Sequence, residues 1–490
     1  MADAADILDL PLARAAERVR AGHVTSVQLT EAAIARAEAT QRLGNAFVEI
    51  FADRALAQAE MLDRDLRRGQ CYGPLHGIPL AHKDCLERIG KPMRVGSVVT
   101  DDLPGTASAT VLTRLAAAGA VDLGRLHLNE MVAGPTGQNP HLGDCRNAWD
   151  PARISGGSSS GSAVAVASGA VFGALGSDTG GSTRLPAAMN GLFGLKGSYG
   201  RVSRAGCFPR AFSLDCVGPM ARTAEDCALL LGAIAGPDPR DPSTLDAPIP
   251  DYVARLADAA DGSRLAVLAD TSEVHPDIAV ALDRVLRVAA DIFGPVQRRA
   301  FPALATCYAM GDVISKVEAA TLHGAWMAER REHYSQAVFS RTEPGLHIPA
   351  PRYLEALLLR AKVLQRFLDE TMQGCDVLIC PTMPVPTPTR VEADMEQGER
   401  VFPVVAALTR LTRPFSYLGV PVLTMPAGLD GNGMPIGLQL IGRPLGEARL
   451  LALAHRLTPL IGWSCSPSQT ALARAGAAMM LLCSSSRKLS

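Results

Sequence analysis

The sequence has no excess charge and few aromatic residues. Its 490 residues include 48 basic and 49 acidic side chains, which gives a net charge of −1, and only 4% are Phe, Trp or Tyr. Because neither sign predominates, the composition provides no general attraction to nucleic-acid phosphates or to anionic lipid. The hydrophobic fraction of 48% is large enough for an extensive core. We therefore expect a globular protein, not a disordered chain, a coiled coil or a basic nucleic-acid binder.

Paired metal-binding and disulfide motifs are also missing. The eleven cysteines are scattered without any C-x-x-C spacing, which excludes a zinc ribbon and a secreted disulfide framework and favours a reducing cytoplasm. None of the ten histidines belongs to an H-E-x-x-H motif. His76 and His82 flank a Gly-Ile-Pro turn, and we expect loop or core histidines there in preference to metal ligands. The sequence thus predicts no metal and no organic cofactor.

Export and membrane insertion are not predicted either. Residues 1–12 contain three aspartates before any apolar run, the wrong order for a secretory signal. Residues 154–177 carry no charge, but their first half is rich in glycine and serine, and the apolar part, 163–175, is too short to span a bilayer. We interpret this stretch as a buried helix and strand in a cytoplasmic protein.

Lysine is scarce among the basic residues. The sequence contains six lysines and 42 arginines, so arginine supplies nearly all the positive charge. Lysine, unlike arginine, can lose its proton inside a protein. Lys83 follows closely on the apolar residues 78–81 (IPLA). It could be a structural lysine paired with Asp84, but neighbouring strand residues point to opposite sides, so we interpret Lys83 as a catalytic candidate.

Helical and strand patterns alternate along the chain, which predicts the α/β class with a sheet covered by helices on both faces. The predicted helices are 25–41, 51–68, 107–118, 162–168, 278–293, 353–372 and 447–457. The predicted strands are 78–82, 121–123, 171–175, 265–268, 377–380, 422–425 and 436–441. Residues 237–242 are the best linker candidate, yet strands of the same character resume after them. We therefore predict one domain, with a helical layer to about residue 70, a core at about 71–460 and a peripheral tail at about 464–490.

Two Gly/Ser blocks, 156–162 (GGSSSGS) and 176–186 (GSDTGGSTRLP), carry the chemistry. The first has phosphate-loop spacing but lacks its lysine, which excludes that motif. Residues 157–161 match G-x-S-x-G, yet a polar, proline-broken segment precedes them where a nucleophile elbow needs a strand. A flexible linker would not continue into a buried apolar segment. Gly180 and Gly181, before Ser182 and near a helix start at Thr183, would let backbone N–H groups converge on a developing oxyanion.

At these residues the sequence resembles the amidase signature family of Ser-cisSer-Lys hydrolases. The resemblance extends from about residue 25 to 457. It also includes 77–79 (GIP) with 83–84 (KD), 191–196 (GLFGLK), 376–382 (DVLICPT) and 433–442 (GMPIGLQLIG). The family fold would be a large central mixed β-sheet between helical layers.

The resemblance implies a role for each site residue. Ser182 would be the nucleophile, Ser158 the bridging serine and Lys83 the base. The peptide bond before Ser158 would be cis, with Gly157 removing one steric obstacle. The backbone N–H groups of Thr179, Gly180, Gly181 and Ser182 would form the oxyanion hole, and Asp178 with Arg184 would brace that loop as a charge pair.

The base must be uncharged to work. A free lysine has a pKa of about 10.4 and is almost fully protonated at neutral pH, so burial has to lower its pKa before it can accept a proton. Without that lysine, both serines would be interpreted as loop residues that cap helices. Cys85 lies nearby, but a lone buried cysteine is more often inert than nucleophilic.

The resemblance predicts a hydrolase of a small-molecule amide, carbamate or ureido substrate through an acyl-enzyme. The expected specificity segments are 131–145, 207–215, 306–350 and 411–419. A mainly apolar substrate pocket is predicted from the following side chains: Met131, Phe208, Phe212, Tyr308, Met310, Phe415 and Tyr417. Two alternatives stay open, a glutaminase subunit of a tRNA-dependent amidotransferase and a non-catalytic binding module. A homodimer is also left open.

Overall fold

The computed structural model of the chain describes residues 4–269, 273–396, 401–464, 466–467 and 470–475. Most of the predicted tail, including all of 476–490, lies outside these residues. Within the described ranges, no helix is both long and apolar enough to cross a membrane.

Eleven strands in the described part of the chain form one mixed sheet, as predicted for the fold class. They are β1 (Phe47–Ile50), β2 (Pro79–Lys83), β3 (Val121–Leu126), β4 (Gly173–Asp178), β5 (Phe193–Lys196), β6 (Cys216–Ala221), β7 (Leu265–Leu268), β8 (Gln297–Arg299), β9 (Val377–Pro381), β10 (Val422–Leu429) and β11 (Pro435–Gly442). Their order across the sheet is β1-β3-β2-β4-β6-β5-β10-β11-β9-β7-β8. Strands β3, β2 and β4 are parallel, as are β8, β7 and β9, and the remaining neighbours are antiparallel.

Helices pack on the sheet and account for most of the remaining regular structure. They are α1 (Ala4–Ile7), α2 (Leu12–Arg20), α3 (Ser26–Gly44), α4 (Ala52–Arg67), α5 (Thr110–Ala117), α6 (Ser160–Ala167), α7 (Arg184–Met189), α8 (Ala224–Ile234), α9 (Pro276–Phe293), α10 (Leu304–Glu329), α11 (Gln336–Thr342), α12 (Ala350–Arg366), α13 (Val401–Thr409), α14 (Arg413–Leu418) and α15 (Glu447–Leu460). Helix α3 begins with the predicted capping box, in which Thr25 and Gln28 each accept the other's backbone N–H.

Alternate residues of the sheet strands point into different apolar clusters. In β9, Val377 and Ile379 belong to one cluster, whereas Leu378 and Cys380 belong to the other. Strand β7 divides its residues in the same way. Because successive side chains of a strand point to opposite faces, both faces of the sheet are buried. This explains why its strands read as uninterrupted apolar runs.

The parallel pairing of β2 with β4 positions the site. Ala81 is opposite Ala174 and His82 is opposite Leu175, so the carboxyl ends of the two strands lie side by side. Lys83 is the last residue of β2, and β4 ends at Asp178. The loop that precedes α6 carries Ser158 to the same edge.

Candidate active site

Lys83 is fully buried and is hydrogen-bonded to two serines. Its Nζ donates to Ser158 Oγ at 2.7 Å and to Ser177 Oγ at 2.9 Å. No carboxylate among the described residues forms an ion pair with it. Burial lowers the pKa of Lys83, and the more distant Asp215 and Asp178 only partly oppose this shift. The side chain therefore has the environment that a neutral amine base requires.

The predicted pairing of Lys83 with Asp84 is not formed. Asp84 instead contacts Arg125, with 3.1 Å between Oδ1 and Nη1. Cys85 is buried, and its Sγ lies 3.9 Å from Cys207 Sγ. The structure thus separates the strand's alternate side chains as the sequence analysis expected.

The two histidines considered as metal ligands contact backbone groups. His76 Nε2 lies 3.1 Å from the Leu62 carbonyl oxygen, and His82 Nδ1 accepts from Leu175 N–H at 3.2 Å. Burial lowers the pKa of His82 to about 3, so the ring is neutral. No cluster of three or more His, Cys, Asp or Glu side chains arranged to hold a metal occurs in the described ranges.

Ser158 and Ser182 lie on loops that meet in front of Lys83. The Gly157–Ser158 peptide bond is cis, as the resemblance implied, and Ser158 is fully buried. The carbonyl of Ser182 accepts Ser159 N–H at 3.3 Å, which ties the two loops together. Ser182 is partly exposed and lines a small cavity. Among the described residues, no hydrogen bond joins the hydroxyls of Ser158 and Ser182.

The loop before Ser182 corrects one detail of the predicted oxyanion hole. Gly181 N–H donates to Asp178 Oδ1 at 2.8 Å, so this group helps to hold the turn and is not free for a substrate oxygen. The N–H groups of Thr179, Gly180 and Ser182 have no hydrogen-bond acceptor in the described part of the chain. Three of the four predicted donors therefore remain as candidates.

Asp178 and Arg184 form a buried bidentate ion pair behind this loop. Arg184 Nε donates to Oδ2 at 2.9 Å and Nη2 donates to Oδ1 at 3.0 Å. Burial would raise the pKa of Asp178, but the Arg184 charge and hydrogen bonds, aided by Lys196, outweigh it and lower this pKa to about 2. Arg184 also donates to the Thr412 carbonyl and to Gln439, which anchors the loop to α14 and β11.

We expect Asp178→Asn to lower the free energy of unfolding by about 3–5 kcal/mol, because it leaves the Arg184 charge buried and unpaired. Urea denaturation at neutral pH measures the loss. The folded-state pKa is depressed, so the carboxylate stabilises the protein above about pH 4, and its contribution disappears as the pH falls toward 2. The control Asp258→Asn, in an exposed pair with Arg255, should cost less than about 0.5 kcal/mol. A loss below about 1 kcal/mol for Asp178→Asn would contradict the bracing role.

A cavity of about 30 Å³ borders Ser182. The lining residues are Val132, Gly134, Pro135, Thr179, Gly180, Ser182, Leu185, Arg210, Gly311, Ser315, Arg341, Thr409 and Arg413. All four expected specificity segments contribute to this lining. Its character is nevertheless polar and basic, which differs from the apolar pocket that the aromatic and methionine side chains predicted.

None of the side chains predicted for substrate binding lines this cavity. Phe415 is buried against Phe301 and Phe367, and the Tyr417 hydroxyl donates to the Ala356 carbonyl at 2.6 Å, so both belong to the core. Met131, Phe208 and Met310 are buried in core clusters, and Phe212 is 44% exposed. Tyr308 is one step removed, since it contacts Thr409 and Arg413, which do line the cavity. These large side chains are used for packing.

Comparison with known proteins decides the family. The amidase family profile matches residues 28–451. This chain belongs to the amidase signature family. One relative of this amidase is a glutamyl-tRNA(Gln) amidotransferase subunit from Thermosynechococcus vestitus, which is 35% identical over 90% of this chain and 95% of its own length.

Solved structures share the fold of the amidase. One, described as a vestigial protein complex that reveals the evolutionary origins of an s-triazine catabolic enzyme, matches with a TM-score of 0.86 and 33% identity, over 93% of this chain and 99% of its own. The native peptide amidase from Stenotrophomonas maltophilia matches with a TM-score of 0.79 and 28% identity, over 94% and 98%.

Sequence reasoning assigned no role to Ser177 or to the arginines of the cavity. Ser177 lies in the second Gly/Ser block, and the signal for its contact with Lys83 was the parallel pairing of two neighbouring strands. Arg210, Arg341 and Arg413 lie inside the expected specificity segments, but the abundance of arginine in this sequence hid them. Only tertiary structure separates these three from the other arginines.

Proposed function

We propose that this amidase hydrolyses an amide-type carbon–nitrogen bond with Ser182 as nucleophile, Ser158 as proton relay and Lys83 as base. The observation that carries the proposal is the buried Lys83 amine, which contacts two serine hydroxyls and no carboxylate of the described chain. A lysine in such a place is costly to keep charged, and neutral it can accept a proton through Ser158.

The reaction would proceed through an acyl-enzyme. Ser182 Oγ bonds to the substrate carbonyl carbon while its proton passes to Ser158 and the Ser158 proton passes to Lys83. The N–H groups of Thr179, Gly180 and Ser182 stabilise the negative carbonyl oxygen. Lys83 then returns its proton through Ser158 to the leaving nitrogen as the carbon–nitrogen bond breaks. Water, activated by the same relay, cleaves the ester to the carboxylic acid and free Ser182.

We expect Ser158→Ala to lower kcat by about 10²–10³-fold without abolishing turnover, because water can partly replace the relay hydroxyl. Steady-state kinetics on a simple amide measures the effect. The matched control is Ser177→Ala, which removes the other hydroxyl bound to Lys83 without cutting the relay, and we expect a loss below about tenfold. Equal losses in both variants would contradict the relay role of Ser158.

Two assignments of this chemistry are compatible with the relatives. The names of the curated relatives support a glutaminase subunit of a tRNA-dependent amidotransferase, in which ammonia released from glutamine passes to a partner. The solved amidases, at 28–33% identity, support a free-standing amidase. Because the curated relatives have the higher identity, the glutaminase of an amidotransferase is the leading assignment.

The isolated chain distinguishes these assignments. Hydrolysis of simple amides by the purified protein alone would support the free-standing amidase. Glutamine hydrolysis that appears only after the other components of an amidotransferase are added would support the glutaminase assignment. A serine-directed phosphonate should label Ser182 in either case. Failure to label at any pH would contradict the proposed hydrolase and favour the non-catalytic binding module.

A further inference from the structure

The cavity at Ser182 contains three arginines and no acidic side chain. Arg210, Arg341 and Arg413 belong to three different segments of the chain, yet all line the space next to the proposed nucleophile. Arg210 and Arg413 are almost completely buried, with 3% and 5% of their surface exposed. Such a concentration of charge beside a catalytic serine needs a physical reason.

Hydrogen bonds fix the arginines relative to the catalytic loop. Asp215 accepts the backbone N–H of Arg210 at 2.8 Å and the Thr179 hydroxyl at 2.5 Å, which links the Arg210 segment to the loop of the oxyanion donors. Thr412, next to Arg413, donates its hydroxyl to the Gly180 carbonyl at 2.7 Å. The positions of the charges are therefore coupled to the positions of the oxyanion donors.

A third set of hydrogen bonds holds Arg341. Arg210 Nη2 donates to the Arg341 carbonyl at 3.2 Å, and Nη1 donates to Thr342 Oγ1 at 2.9 Å. These bonds fix the carboxyl end of α11 against the Arg210 segment. They use the backbone of Arg341 and leave its guanidinium available to the cavity.

Two of the three guanidinium groups lack a counter-ion in the described chain. Arg413 forms an ion pair with Asp312, but neither Arg210 nor Arg341 forms one with any described carboxylate. Arg210 Nε and Arg341 Nη1 are buried without a hydrogen-bond partner there. Burial, reinforced by the charges of Arg210 and Arg413, lowers the pKa of Arg341 to about 9. Buried cations in this state are costly unless an anion compensates them.

We propose that Arg210 and Arg341 bind a carboxylate of the substrate, so that the amidase takes amides bearing a carboxylate and no ammonium group. Guanidinium groups pair with carboxylates through parallel hydrogen bonds, which would satisfy the unpartnered nitrogen atoms. The lining contains no carboxylate to receive an ammonium group. The inference rests on the proposed hydrolytic function, and of its two assignments it favours the free-standing amidase over a glutaminase.

Three amides of one chain length test the inference. Glutaramate carries a carboxylate, glutamine adds an ammonium group to it, and pentanamide carries neither. We expect kcat/KM for glutaramate to exceed that for pentanamide by at least about 100-fold and that for glutamine by at least about tenfold. Equal values for glutaramate and pentanamide would overturn the carboxylate site. A preference for glutamine would overturn the exclusion of ammonium.

The variant Arg341→Gln assigns the effect to the cavity. It should lower kcat/KM for glutaramate by at least about 30-fold and change that for pentanamide by less than about threefold. The control Arg352→Gln alters an exposed arginine of α12 that pairs with Glu355, and it should leave both values unchanged. Equal losses for the two amides in Arg341→Gln would overturn the assignment.

Labelling of Ser182 by a neutral serine-directed phosphonate separates the two possible failures. A protein that is neither labelled nor active on any amide refutes the proposed function itself. A labelled protein that glutaramate fails to protect, under conditions where labelling proceeds at the wild-type rate, refutes only the carboxylate site. Protection by glutaramate that is lost in Arg341→Gln supports the site even if turnover requires a partner protein.

Discussion

Ser182→Ala is expected to lower kcat/KM by at least about four orders of magnitude on any amide that the protein hydrolyses. The substitution removes the oxygen atom that forms the acyl-enzyme, and no other hydroxyl lines the cavity at the end of the same relay. Burst kinetics with an activated ester should also lose the acyl-enzyme phase. The side chain is partly exposed and its hydroxyl makes no hydrogen bond with the described residues, so we expect the variant to fold normally.

Labelling with a serine-directed phosphonate provides the control for this variant. Mass mapping should find the label on Ser182 in the wild-type protein and no label in Ser182→Ala. Turnover within tenfold of wild type, or a label on another serine with activity retained, would show that Ser182 is not the nucleophile.

Lys83→Met is expected to lower kcat by about 10³–10⁴-fold, the range of general-base catalysis. Methionine has a similar length and fills the buried site without a charge, so the effect isolates the lost amine. The matched control is Lys362→Met on the exposed surface of α12, which should retain full activity. Rates for both variants come from the same simple-amide assay.

The double variant Lys83→Met/Ser182→Ala tests whether the two residues act as one unit. We expect it to be no slower than Ser182→Ala alone, because the base has no role once the nucleophile is absent. Multiplied losses would indicate independent functions. Full activity of Lys83→Met would exclude the base assignment.

The sequence was sufficient to locate Lys83 because its environment is local. The apolar strand that buries it and the alternation that separates it from Asp84 are both written in consecutive residues. The predicted strands were found because both faces of the sheet are covered and their apolar runs are continuous. Strand β5 (Phe193–Lys196) was missed as an element because it is short and contains a glycine, although its residues were recognised as a family motif.

The composition of the cavity could not be predicted from local pattern. Aromatic residues were expected to line it because they carry much apolar surface, but the fold uses Phe415 and Tyr417 in its core. Arg210 and Arg341 are 131 residues apart in sequence and meet only in the folded chain. Lys196 shows the opposite limit, since it is as buried as Lys83, yet its Nζ donates to the carbonyls of Gly197 and Val420. Burial alone does not distinguish a base from a structural lysine.

The most direct test measures the protonation of the Lys83 amine. With only six lysines in the chain, lysine-selective isotope labelling gives few NMR signals, and the one absent from Lys83→Met belongs to Lys83. Burial also lowers the pKa of Lys196, so this assignment by variant is essential. The account predicts that the Lys83 signal titrates well below the ordinary lysine pKa of about 10.4. A Lys83 pKa at or above that value would contradict the neutral base on which the proposed hydrolysis depends.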